Sequence, residues 1–434
     1  MLQRTVDAEL LRFADSKEKK CLVVRGARQV GKTWSVRNLG NCGKFPSFIE
    51  INFLKSPDLK KIFSGNLDVD TLLLNFSLYL PNRAFIPGKT LLFLDEIQEC
   101  PEAITSLKFW AEDGRFRVIA SGSMLGIDYK RPSSYPVGSV RYLDMSSLSF
   151  SEFLQAIGVN SQLIDILRDC FHQGNPVPDA IHQQMMKYLK LYIAIGGMPE
   201  VVQLYTDTNS FSETDVRQRE ILQDYRYDIA HYAPPSEKIK AEKCYFSLPE
   251  QLDKENHKFQ YSIVEPRGTK RKFGSSIDWL ENADLVTICP AVTKIEAPLK
   301  DFSDSDNFRL YPRDIGLFLS MYDFSIKQKL LTGGSEIGQA KGGIYEALIA
   351  CMLAQNRHKL YFYKNDTTKL ELEFLMDSPD GVIPIEVKAG NNRSRSLDRI
   401  LQSETIPYGY KLISGNAGMT GKKRSIPLYM AMFL

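Results

Sequence analysis

Apolar and polar positions change their period along the chain, and the changes mark its parts. Residues 21–25 are an apolar run ending in a glycine turn, and 47–53 alternate apolar and polar side chains. Residues 91–94 are all apolar and are closed by two acids, and 116–121 form a further apolar run. Each reads as a strand, and helical periods lie between them, as over 104–112. Strands interleaved with helices predict an α/β fold with a parallel sheet covered on both faces, spanning residues 1–150.

Residues 151–235 have helical periods instead, at 151–154, 180–192 and 217–227. Gly174-Asn-Pro and Gly196-Gly-Met-Pro199 interrupt them, and 231–235 has the composition of a linker. This part reads as a helical lid. Residues 236–300 contain three short helical stretches (237–245, 248–255, 275–282), then two short strands, 285–289 and 292–296. Three helices and a hairpin follow the logic of a winged helix. Strand patterns return in the last part, 301–434, at 361–364, 371–376, 382–388, 410–414 and 428–432, after a helix over 342–355. This is a second, smaller α/β domain.

With 434 residues, the chain is too long for one hydrophobic core. Apolar residues make up 43% and charged residues 25%, which excludes a disordered, collagen-like or coiled-coil chain. A net charge of +3 argues neither for nor against a nucleic-acid partner. The seven cysteines are single, with no C-x-x-C pair, which argues against a disulfide framework or zinc site and for a reducing, cytoplasmic setting. No stretch approaches the ~18 apolar residues of a membrane span, and the first residues lack the apolar run of a signal peptide.

The sharpest chemistry is Gly26-Ala27-Arg28-Gln29-Val30-Gly31-Lys32-Thr33, which fits G-x-x-x-x-G-K-[ST] between a strand and a helix. Glycines let the backbone curl so that its N–H groups face phosphate oxygens. Lys32 is placed to reach the β- and γ-phosphates of ATP, and Thr33 to offer a hydroxyl to Mg²⁺. The apolar run 91–94 delivers Asp95 and Glu96 at the end of a strand, where open α/β sheets bind ligands. Asp95 is expected to hold Mg²⁺, directly or through water, and Glu96 to orient or deprotonate the attacking water. Ser121 and Ser123, at the end of the next strand, are candidates to sense the γ-phosphate. Arg28 and Arg141 are candidate charge stabilisers.

These motifs, together with Ala120-Ser-Gly-Ser-Met-Leu125, Leu148-Ser-Phe-Ser-Glu-Phe153 and Gly196-Gly-Met-Pro199, resemble the prokaryotic AAA-type ATPases related to the STAND class. The resemblance covers nearly the whole chain. It implies a P-loop NTPase core fused to a C-terminal winged-helix and restriction-endonuclease-like domain of unknown function.

Arg267, Lys270, Arg271 and Lys272 lie just before a helical stretch and are candidates for DNA phosphate contacts. Ordinary solvated loops carry such charges too, and winged helices of STAND-type ATPases often act as protein–protein hinges. In the last domain Glu386 and Lys388 share one face of a strand, and Glu371 and Glu373 share a face of another. Glu346 sits on the preceding helix. Nucleases of the restriction-enzyme fold need two carboxylates for a metal and a lysine near the attacking water. That family usually reads Glu-x-Asp where this chain has Glu371-Leu-Glu373, which favours an inactive nuclease-like face over a cleaving one.

The expected whole is an ATP-driven regulatory switch, with ATP and Mg²⁺ bound between core and lid. An ATP-gated DNA nuclease and a DNA-binding regulator that uses ATP to set its shape are the alternatives. A protein partner or self-association stays open.

Overall fold

A computed structural model of the chain describes residues 2–123, 136–332, 340–388 and 394–434. The chain divides into two compact units. The first comprises Gln3–Ser146 with Asn282–Asp284.

Its sheet has five strands: β1 (Cys21–Gly26), β2 (Ser47–Asn52), β3 (Thr90–Asp95), β4 (Arg117–Ser123) and β5 (Val140–Asp144). They run parallel in the order β2-β3-β4-β1-β5, so β4 is inserted between the strand of the phosphate loop and the strand of the acids. Every residue of β3 is buried, which is why its sequence is continuously apolar rather than alternating. Helices from intervening segments cover the sheet. Between Pro101–Asp113 and the sheet, an aromatic group of Phe53, Phe63, Phe76, Phe85, Trp110 and Phe116 stacks edge to face.

The second unit comprises Ser147–Glu281 and Leu285–Leu434, so the expected lid, winged-helix and C-terminal segments all fall within it. Its sheet has eight strands: β6 (Val286–Val292), β7 (Ser303–Pro312), β8 (Tyr361–Asn365), β9 (Leu370–Ser378), β10 (Gly381–Lys388), β11 (Gly409–Ile413), β12 (Gly418–Thr420) and β13 (Lys423–Pro427). The order is β12-β13-β11-β10-β9-β8-β6-β7. The helix Ala340–Gln355 is buried on almost every side, as a helix apolar all round must be.

Three expectations change here. The partner of β6 is β7, not residues 292–296, and the pair continues into the C-terminal sheet through Ala291 and Phe362. The first half of β7, Ser303 to Asn307, is polar and largely exposed, so no apolar alternation marked it. Residues 428–432 lie in a 3-10 helix, Leu428–Phe433, which follows directly on Pro427 at the end of β13. The helix expected at 275–282 starts at Lys270, so the three consecutive basic residues occupy its first turn.

The Gly196–Gly197 turn is a packing junction of the second unit. The Gly197 N–H donates to Asp314 Oδ2 at 2.8 Å, and the Gly197 carbonyl accepts from the Leu148 N–H at 2.6 Å. A Cβ on Gly197 would lie 2.2 Å from the Leu148 carbonyl oxygen. Asp314 is buried and also caps the helix Ile315–Leu319. Two motifs far apart in sequence, at 148–153 and 196–199, thereby meet backbone to backbone.

Candidate functional site

β1 runs into Gly26, whose φ of +155° and close approach to the Met145 carbonyl leave no room for a side chain: a Cβ would lie 2.1 Å from that oxygen. Gln29 and Gly31 also take positive φ, and the helix Lys32–Asn41 starts directly after. Buried Ala27 and Val30 seat the loop on the core. Arg4 fixes it from outside, donating to the Val30 carbonyl at 2.9 Å and the Ser146 carbonyl at 2.6 Å.

Lys32 is 8% exposed and folds back on the loop, donating to the carbonyls of Gly26 at 3.0 Å and Ala27 at 2.7 Å. Burial pulls its pKa down to about 8, although Glu96, Asp95 and Asp284 act to raise it; Arg28 adds to the lowering. Thr33 Oγ1 lies 3.1 Å from both carboxylate oxygens of Asp95. Asp95 is buried and also accepts from Asn52 Nδ2 at 2.7 Å and from the Ser121 hydroxyl. The parallel register makes this cluster: Asn52 is paired directly with Asp95 across β2 and β3. Asn52 was not singled out in the sequence; its signal is its place as the last residue of β2, and it acts only once the register is known.

Oxygen donors of this kind suit Mg²⁺. With Mg–O distances of ~2.0–2.1 Å, adjacent ligands of an octahedron stand about 2.9 Å apart, and the Thr33–Asp95 separation of 3.1 Å is close to that edge.

Glu96 follows β3 with a left-handed backbone, φ +54° and ψ +46°, unusual for a residue with a side chain. Its Oε2 accepts from Nε2 of Gln98. Arg28 and Gln29 are half-buried in the loop. Arg141 is not brought to the loop: β5 pairs it with Leu22, four residues before Gly26, towards the other end of the strand. The Ser123 side chain and residues 124 and 125 lie outside the described residues.

In the second unit, Glu346 is buried on the helix Ala340–Gln355. Its Oε1 accepts from Arg309 Nη1 at 2.8 Å and from the Tyr311 hydroxyl, and its Oε2 lies 2.7 Å from His257 Nδ1. Burial works to raise its pKa, but Arg309 and His257 outweigh burial and hold the carboxyl at about 2. Arg309, 1% exposed, also pairs with Glu371 and lies over the Phe362 ring, 4.3 Å from its centroid. Lys388 Nζ lies 3.0 Å from Glu373 and 3.4 Å from Glu386. Burial, with help from Glu346 and Glu386 and opposed by Lys388, pushes Glu373 up to about 7. Glu386 is raised as well, chiefly by burial.

The five residues therefore gather in one cluster. Both oxygens of Glu346 are engaged, and the Lys388 ammonium bridges Glu373 and Glu386. Among the described residues no group of three or more His, Cys, Asp or Glu side chains could hold a metal ion. Of the basic residues proposed for DNA, Lys270 pairs with Asp306 and Lys272 with Glu265, while Arg267 and Arg271 are exposed.

A parallel sheet with an inserted strand, a phosphate loop on β1 and paired acids on β3 define a P-loop nucleotide-binding core. Residues 18–154 match the model of an AAA domain, so the chain carries an AAA-type P-loop ATPase domain. Residues 186–328 and 341–430 match two domains of unknown function, DUF8612 and DUF4143. No curated protein matches the chain. Among solved structures, it is similar to a Walker-type ATPase of Pyrococcus abyssi at 11% identity, over 74% of this chain and 96% of that one, with a TM-score of 0.42. It is also similar to the ORC1 protein of Aeropyrum pernix, solved in complex with DNA, at 12% identity over 76% and 93%, TM-score 0.29. Cdc6p from Pyrobaculum aerophilum is similar at 14% identity over 76% and 92%, TM-score 0.27. Among the described residues no helix is long and apolar enough to cross a membrane.

Proposed function

We propose that the chain is an ATP-hydrolysing switch of the AAA/STAND type whose nucleotide state governs its C-terminal unit. The observation that carries this reading is the convergence of Lys32, Thr33, Asp95, Asn52 and Ser121 at the C-terminal ends of the parallel strands. Nucleotide binding draws the Lys32 ammonium off the Gly26 and Ala27 carbonyls onto the β- and γ-phosphates. Thr33 and Asp95 would hold Mg²⁺, which would supply positive charge against those phosphates. Asn52 and Ser121 keep the Asp95 carboxylate in place. Glu96 orients the attacking water and takes its proton.

Residues 236–300 supply a winged-helix module in this reading, and residues 301–434 a nuclease-like domain that does not cleave. Arg309 supports the second point, since it engages Glu346 and Glu371, two acids of that face. DNA contact would rest on Arg267 and Arg271, the two basic residues of that cluster for which no acidic partner is described.

The test is hydrogen exchange of residues 147–434 with ADP, with ATP, and with ATP in Lys32→Ala. A protection change that needs ATP and vanishes in Lys32→Ala supports the switch. Identical exchange in all three would contradict it.

A further inference from the structure

Gln98 lies in the short 3-10 turn Ile97–Glu99 that follows the paired acids, and its side chain is 1% exposed. An amide has a donor end and an acceptor end, and burial demands a partner for both. The donor end has one: Nε2 donates to Oε2 of Glu96. The acceptor end has none: Oε1 is buried and meets no hydrogen-bond donor among the described residues. The orientation follows from the neighbour, because turning the amide over would set a carbonyl against a carboxylate.

As a core residue this amide is poorly chosen. A methionine of similar length would fill the same space without an orphaned acceptor, and an unsatisfied buried acceptor lowers stability. What the amide supplies is its single bond to Glu96, whose own backbone is held in the left-handed region.

We propose that Gln98 is a positioning residue for ATP hydrolysis, gripping Oε2 of Glu96 so that Oε1 is left to receive the proton of the attacking water. This rests on the reading of Glu96 as the base. In the step, the water oxygen bonds to the γ-phosphorus and the bond from that phosphorus to the ADP oxygen breaks. The water proton passes to Oε1 of Glu96. A donor on Oε2 fixes which oxygen is free to accept.

The test is Gln98→Met, read by thermal melting, by ATP affinity and by single-turnover ATP hydrolysis. Melting should stay where it is or rise, because the substitution removes the orphaned acceptor. The single-turnover rate should fall about tenfold with ATP affinity unchanged, the scale of one hydrogen bond to a charged group. A lower melting temperature with an unmoved rate would make Gln98 a packing residue and overturn the proposal. Glu96→Gln, measured alongside, separates the two claims. If it hydrolyses ATP at the parent rate, the base assignment fails and takes the proposal with it. If it is inactive while Gln98→Met behaves as the parent, only the role of Gln98 fails.

Discussion

Replacing Arg309 by methionine removes a buried guanidinium that binds Glu346 and Glu371 at once. Glu346 is held at about 2, against ~4.3 for a free glutamate. At ~1.36 kcal/mol per pKa unit this is roughly 3 kcal/mol of stability. Breaking a buried ion pair from one side costs ~3–5 kcal/mol, which agrees. The pH dependence carries the sign. A carboxyl depressed in the folded state gives its full stabilisation above ~4.3 and loses it as pH falls towards the folded value. Without Arg309, burial pushes Glu346 the other way, so the variant is penalised at neutral pH and the penalty eases as the acid protonates. The gap between parent and variant should therefore narrow from about pH 7 to about pH 5. Hydrogen exchange of the helix Ala340–Gln355 reads it locally, with exchange about 10²-fold faster at neutral pH in Arg309→Met. Exchange within about threefold of the parent, or a gap that stays the same at both pH values, would refute the argument.

Two further outcomes follow from geometry already described. Lys32 has a pKa of about 8 in the nucleotide-free protein, so the ammonium that ATP needs is present below that pH and must be regained above it. ATP affinity should be flat with pH below about 8 and fall by up to about tenfold per unit above it, measured by fluorescent-nucleotide titration; a flat profile to about pH 10 would show that Lys32 is not the phosphate cation. Gly197→Ala drives a Cβ to 2.2 Å from the Leu148 carbonyl oxygen and should cost ~1–3 kcal/mol or more, seen as a lower melting temperature; an unchanged melt would show that the junction yields.

The phosphate loop, Asp95 and the parallel core were legible because their signals are local. A glycine pattern after an apolar strand, and two acids closing another, need no partner to be recognised. Asn52 was not, because its function comes from standing opposite Asp95 in the register of β2 and β3. Arg141 misled for the same reason: its charge was visible, but parallel pairing with Leu22 sets it away from the loop. Glu346, Glu373, Glu386 and Lys388 could be picked out by strand period and helix position. The neutralisation of Glu346 could not, since Arg309, Tyr311 and His257 reach it from 35 to 89 residues away. The strand β7 stayed hidden because its exposed polar half lacks alternation.

Steady-state ATP hydrolysis by the parent protein and by Glu96→Gln, with ATP binding measured on both, tests the central claim most directly. The account predicts Mg²⁺-dependent turnover by the parent. Glu96→Gln should bind ATP as tightly and turn it over about 10²-fold or more slowly, the scale of losing a general base. Equal turnover by the two proteins, or no ATP binding by the parent, would contradict it.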